Sequence, residues 1–425
     1  MIDEILNFGL ERSDSSIIKV IGVGGGGCNA VKNMYEEGIE GVNFMVCNTD
    51  AQAMQNNPVP VRIQLGVTLT GGRGAGNLPG QGEQAAIENL DDIRRMLEGT
   101  TKMLFITAGM GGGTGTGAAP VIARLARELE ILTIAVVTIP SRSEGKRRFE
   151  QALEGIEKLR TQVDSLLVIS NEKLHKIYGN LPASQAFKKA DNIITTAVKG
   201  VAEIITLHGN INIDFADVST VMARSEVFIM GTGLAEGEGR AMNAVIQALE
   251  SPLLDSSNIK GTKDILLNII SGTEEITMSE IGEIIDYLQE AAGQEATIIW
   301  GNGLDPKLGD QISVTIIATG FDINPNRLFQ DIPEVLEFQL EASKFEINLD
   351  DDLFGGIEAS VPVKEPVKHI PTHSVKPKRK SKKDRAEFAG EPNAETANVD
   401  SWFVRQFSRF FDEKDTPVSE ENDKL

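Results

Sequence analysis

Two glycine clusters stand where a bare backbone can hold a polyphosphate. The first, GVGGGGCNA (22–30), follows an apolar β-branched run and opens a helical segment. Gly22, Gly24 and Gly27 satisfy a GxGxxG spacing, and such a loop turns free N–H groups and a positive helix end toward an anion. Asp50 lies near the spacing at which a dinucleotide fold places its ribose-binding acid, so that site remains open on this motif. A plain strand-to-helix turn also remains open. The second cluster, GMGGGTGTG (109–117), decides more, because six of its nine residues are glycine while Thr114 and Thr116 add hydroxyl donors. Two phosphate-cradling loops exceed what a dinucleotide fold needs. No GxxxxGK[ST] run exists in the chain, so the site is not of the Walker type.

The elements that must carry these loops are legible as apolar runs: 17–23, 42–47, 103–108, 131–139 and 165–170, spaced by helical stretches. Strands apolar on both faces and alternating with helices predict an α/β fold whose N-terminal domain is a parallel sheet covered by helices. From 183 to 207 Phe187, Ile194, Val198, Val201, Ile204 and Ile205 recur at helical steps, which predicts a long central helix acting as a spine. The region 208–322 reads as a C-terminal α+β domain, and the turn GNGLDPKLGD between ATIIW and QISVTIIATGF suggests a hairpin-like strand pair. Beyond it, 323–398 reads as a disordered linker, rich from about 357 in Pro, Lys, Glu, Ser and Ala. Residues 1–16 form an N-terminal extension, 17–182 the nucleotide-binding domain, and 399–425, beginning near DSWFVRQFSRFF, a terminal peptide.

The 425 residues suit two or three domains, and 62 acids against 41 bases leave a net charge of −21. That charge disfavours nucleic acid as a general partner. Two cysteines make neither a disulfide framework nor a zinc site, so Cys28 and Cys47 read as buried free thiols, and no metal ligand set is assigned. The acidic N-terminus lacks a targeting signature, and the longest apolar run is too short to span a bilayer, so a cytoplasmic protein is expected.

At GMGGGTGTG the chain resembles the tubulin/FtsZ family of polymerising GTPases, over about residues 17–322. The likeness continues in NTDAQAM (48–54), GGRGAGNLPGQG (71–82), PSRSEGKRR (140–148), SNEKL (170–174), AFKKADN (186–192) and NINIDFADV (210–218). The resemblance implies GTP or GDP as ligand with Mg2+, and it assigns Gly24, Gly25, Gly26 and Asn29 to the first phosphate loop. It assigns Gly111, Gly112, Gly113, Thr114, Gly115 and Thr116 to the second, and places Ala75 and Gly76 over the terminal phosphate. By the same likeness Glu144 meets ribose, Arg148 reaches phosphate, Asn171 and Asp191 read the guanine edge, and Phe187 stacks on the base. Asp214 and Asp217, supported by Asn212, are implied to enter the nucleotide pocket of the next subunit and complete hydrolysis there; the alternative is a structural member of the tubulin superfamily that binds GTP without hydrolysing it.

Each residue also has a plainer reading. Glu144 and Arg148 can be an i, i+4 surface ion pair, Phe187 core, Asp191 solvated, and Asn171, Asp214 or Asp217 simply helix caps. Arg73 departs from the family's pattern in the cover loop and either touches phosphate or faces solvent. The family's implied partners are further copies of the chain, head to tail in a division ring. The terminal peptide, with Trp402, Phe403, Val404 and Phe407, implies membrane-tethering and division adaptors, or direct interfacial contact. That places the protein in the cytoplasm near the inner face of the membrane at the division site. The basic run 374–385 would suit anionic lipid, nucleic acid or the acidic body of a neighbouring subunit, or is a solvated spacer within the linker.

Overall fold

The computed structural model describes residues 16–206, 211–251, 259–293 and 295–321. The expected N-terminal extension apart from Ser16, the linker from 323, the basic run and the terminal peptide all lie outside the described residues. Within them the chain alternates strand and helix, starting with β1 (Ile18–Val23), α1 (Gly24–Glu37), β2 (Val42–Asn48), α2 (Ala51–Gln55) and β3 (Val61–Gln64). Three helices, α3 (Val67–Thr70), α4 (Pro79–Glu88) and α5 (Leu90–Leu97), lead into β4 (Met103–Gly109) and α6 (Thr114–Glu128). Then follow β5 (Leu132–Ile139), α7 (Lys146–Arg160), β6 (Ser165–Ser170), α8 (Asn171–Tyr178) and the 24-residue α9 (Ala183–Thr206).

These strands pair in parallel in the order β3-β2-β1-β4-β5-β6. β1 is buried at every position and β4 at all but its last, as a sheet covered on both faces requires. One face packs against α4, α6 and α7 through Ile106, Ile122, Ala152 and Leu159. The other receives α9, whose Ile194, Val198, Val201 and Ile204 share a core with Phe105, Phe228, Met230 and Ile317. The spine reading therefore holds for this stripe, with one exception: Phe187 is 62% exposed and takes no part in it.

After α9 come α10 (Phe215–Met222), β7 (Glu226–Ala235), α11 (Arg240–Leu249), β8 (Asp264–Ser271), α12 (Met278–Ala292), β9 (Thr297–Leu304) and β10 (Ile312–Thr319). β7 joins β6 in parallel through Ser165↔Glu226 and Leu166↔Val227, so a single ten-stranded sheet runs through both halves.

The hairpin expected from the last two runs does not form. β10 lies between β7 and β8, antiparallel to both, while β9 pairs in parallel with the outer side of β8. The reason is burial: β8 and β10 are almost wholly buried and each needs a partner on both sides, whereas β9 is half-exposed and suits an edge. The connecting turn crosses the end of β8, held where Gly272 N donates to Gln311 O (3.0 Å) and Asp305 N to Ser271 O (2.9 Å). Cys28 and Cys47 are buried free thiols, and burial pushes Cys28 up to about 12, far from a reactive thiolate. Among the described residues no helix is long and apolar enough to cross a membrane.

Candidate nucleotide site

The two glycine clusters and the NTDAQAM, PSRSEGKRR and SNEKL segments leave the C-terminal ends of parallel strands, where an open α/β sheet forms its ligand crevice. α1 follows β1 with no side-chain cap at its first turn, and α6 follows β4 in the same way. Side-chain caps from Asp50, Asp214 and Thr277 are present at α2, α10 and α12, while α3, α4, α5, α7, α8 and α11 also start without one. What marks α1 and α6 is that both uncapped starts are glycine-rich and follow adjacent strands, an arrangement an anion can complete.

The two loops touch. Gly24 has φ +71°, and a Cβ there would come within 2.9 Å of Gly115 N, so only glycine lets the backbones approach. Gly25, Gly26 and Asn29 are exposed, and Gly25 and Gly112 have open space above them. Thr114 meets the hydroxyl of Thr49 at 2.6 Å. Thr116 works inward, buried and accepting from Gly111 N at 2.8 Å, so it braces the loop it belongs to. The cover loop lies on the second cluster: a Cβ on Gly113 would come within 2.8 Å of Ala75 Cβ and 2.9 Å of Leu78 N. Ala75 is buried and Gly76 exposed at φ +59°.

Glu144, Arg148 and Asn171 form one group. Ser141 and Glu144 make a capping box around the short 3₁₀ turn 142–144, with Ser141 N donating to Glu144 Oε1 at 3.0 Å. Asn171 Nδ2 donates to the same oxygen at 3.3 Å, while Arg148 Nη1 pairs with Glu144 Oε2 at 3.2 Å. The ion-pair reading of Glu144 and Arg148 is thus correct without excluding a ligand role. Ser170, not Asn171, occupies the cap position of α8.

Phe187 and Asp191 invert the plainer expectation, since the aromatic ring is exposed and the carboxylate half-buried. Burial raises Asp191 to about 7, and no hydrogen bond to its side chain comes from another described residue. The neighbouring turn of α9 is fixed to α1, where Asn33 Nδ2 donates to Asn192 Oδ1 and Thr195 Oγ1, both at 3.0 Å. Asn29 lies one turn before Asn33 on α1. Asp50 is occupied as the cap of α2, accepting from Gln52 N and Ala53 N, and its backbone bridges to exposed Arg73.

Asp214 and Asp217 stand elsewhere. They form a reciprocal capping box at α10, with Asp217 N to Asp214 Oδ1 at 2.9 Å and Asp214 N to Asp217 Oδ2 at 3.0 Å. α10 packs at the N-terminal ends of the strands: Phe215 lies under Lys102, just before β4, and Ser165 Oγ at the start of β6 donates to Met222 O at 2.7 Å. β4 has seven residues, so roughly 20 Å of sheet separates these acids from the glycine loops of the same chain. Asn212 is exposed in a loop held to β9, where Asn302 N donates to Ile211 O at 3.0 Å.

Sequence reasoning missed Thr49, Ser141 and Glu172, whose Oε2 accepts from Arg142 N at 3.1 Å. Thr49 lies within the NTDAQAM motif, so its neighbourhood was marked; its hydroxyl contact depends on the fold. Among the described residues no group of three or more His, Cys, Asp or Glu is arranged to hold a metal ion.

The model for the tubulin/FtsZ family GTPase domain matches residues 17–179, and that for the FtsZ family C-terminal domain matches 227–322. The cell division protein FtsZ of Porphyromonas gingivalis is 49% identical over 329 residues, 77% of this chain and 72% of the relative. That of Coxiella burnetii is 47% identical over 304 residues, 71% of this chain and 78% of its own length. Among solved structures, an FtsZ dimer from M. jannaschii superposes with a TM-score of 0.67 at 42% identity, covering 75% of this chain and 92% of that one.

Proposed function

The chain belongs to the tubulin/FtsZ family and carries its GTPase domain, and from that premise we propose that it assembles head to tail into cell-division filaments and hydrolyses GTP to GDP and phosphate at the interface between subunits. One observation supports this reading above the rest: the phosphate-cradling loops and the acids Asp214 and Asp217 occupy opposite ends of one parallel sheet. Neither end is complete alone, and stacking copies end to end brings the acids of one over the loops of the next. Such a heterologous contact has no closure built in and propagates as a filament.

In this reading Gly24 to Gly26, Asn29 and Gly111 to Gly115 hold the phosphates, with the Thr114 hydroxyl as a donor and Thr116 as a brace. Ala75 and Gly76 cover the terminal phosphate. Glu144 takes the ribose, and Arg148, held by Glu144, offers its remaining donors to phosphate. Asp191 and Asn171 read the guanine edge while exposed Phe187 lies against the base. Ionised Asp191 accepts from the N1 and N2 groups of guanine, and those donors reward a desolvated carboxylate.

Asp214 and Asp217 of the neighbouring subunit orient and polarise the attacking water, with Asn212 shaping their loop. These arriving acids would also supply the one or two carboxylates that a Mg2+ accompanying a nucleoside triphosphate needs beside phosphate and water. Residues 17–182 are then the GTP-binding unit, 208–322 the activating unit and α9 the link. The peptide 399–425 recruits tethering adaptors that hold the filament at the cytoplasmic face of the division site. The test is GTP turnover per subunit against protein concentration with light scattering in the same cuvette. A shared threshold supports the reading; turnover that stays constant per subunit with no scattering refutes it.

A further inference from the structure

Thr49 connects three parts of the site that the sequence treats separately. It is fully buried at the end of β2, and its Oγ1 lies 2.6 Å from Oγ1 of Thr114, the first residue of α6. Its carbonyl accepts from Gly74 N of the cover loop at 3.2 Å, and the next turn of chain holds the same loop where Ala51 N donates to Gly72 O at 3.0 Å. The rest of the cover loop is held by Arg73 N donating to Thr70 O at 3.2 Å and by Ala75 packed on Gly113, while Gly71, Gly72, Gly74, Gly76 and Asn77 all have positive φ.

Two facing hydroxyls share one hydrogen bond, and either can donate. A phosphate oxygen only accepts, so a Thr114 hydroxyl that donates to phosphate must itself accept from Thr49. Resting on the GTP reading above, we propose that Thr49 is a positioning residue: its hydroxyl donates to Thr114, orients that proton toward the nucleotide phosphate, and through the Thr49 carbonyl ties phosphate binding to the position of the cover loop. The chain of donors runs one way, Thr49 to Thr114 to phosphate, and each bond polarises the next. The buried Thr49 hydroxyl has Thr114 as its hydrogen-bond partner, so the direction is imposed by the acceptor at the far end.

The test separates the hydroxyl from the shape. Thr49→Val keeps the branched outline and removes the donor; Thr49→Ser keeps the donor and removes the methyl. GTP binding is measured below the assembly concentration, together with GTP-induced protection of the exposed Arg73–Gly74 bond from trypsin. The expected result is binding weakened about tenfold in Thr49→Val with protection at Arg73 lost, and both retained in Thr49→Ser. Wild-type behaviour of Thr49→Val, or a Thr49→Ser variant as impaired as Thr49→Val, overturns the proposal while leaving the GTP reading intact. A wild-type chain that binds no GTP overturns both. If Thr49→Val does not fold, Thr49→Ala against Thr49→Ser is read the same way.

Discussion

At Asp191 a carboxylate has been raised to about 7 by burial alone, against an ordinary value near 4. The sign is definite: the folded chain holds this proton more tightly than the unfolded one, so the group's contribution to stability falls as pH rises from about 4 toward 7. Guanine binding runs the other way, because only the ionised form accepts both N–H groups. GTP affinity should therefore drop about tenfold between pH 8 and pH 6 through this group, as the difference between the wild-type and Asp191→Asn pH profiles. Coincident profiles in equilibrium binding would remove Asp191 from the base contact. Asp191→Asn should also shift preference toward xanthine nucleotides, since an amide can donate to the oxygen that replaces the guanine amine; competition binding reads this directly.

Among the elements, β9 and the α11 to α12 pair carry consequences the motifs do not announce. Gly301 on β9 lies where a Cβ would come within 2.9 Å of Ile211 O, on the loop that presents Asn212 and Asp214. Gly301→Ala should displace that loop and cut turnover at least about tenfold while GTP binding below assembly stays normal. Equal losses in both assays would mean that the whole half of the chain had been disturbed. Arg240 opens α11 at 4% exposure and pairs with Glu280 on α12, Nε to Oε1 at 2.8 Å, while its other nitrogens donate to Glu274 O and Glu275 O. The Arg240 guanidinium is the main cause holding Glu280 down to about 2 from 4.5. A depressed carboxylate stabilises the fold above its unfolded value, and the contribution is lost as pH falls from 4.5 toward 2. Arg240→Ala should cost about 3 to 5 kcal/mol in denaturant unfolding at pH 7 and flatten the acid limb between pH 5 and 3. A pH 7 stability within 1 kcal/mol of wild type would show that the pair contributes little.

For the whole molecule, the separation of loops and acids across the sheet makes complementation the decisive experiment. Asp217→Ala keeps its own nucleotide loops, and Asp191→Ala keeps its acids. Each alone should lose about 100-fold or more in turnover, the first with GTP binding intact. Mixed one to one they should recover roughly a quarter of wild-type turnover, the share of interfaces that pair intact loops with intact acids. No recovery, with both variants still assembling in scattering measurements, would sink catalysis at the interface. The sequence by itself determined what is local: apolar runs that must be covered strands, glycine clusters whose backbones only glycine permits, and the stripe of α9 that packs on both halves. These are set by spacing along one chain. Tertiary structure alone decided that β10 inserts between β7 and β8, because burial on both sides of β8 outweighs the short connection to β9. It also exposed Phe187 while desolvating Asp191 one turn away, brought Thr49 to Thr114 across 65 residues, and put Asp214 and Asp217 at the far end of the sheet. Those outcomes depend on which surfaces exclude water together, and no spacing rule within a single segment encodes that.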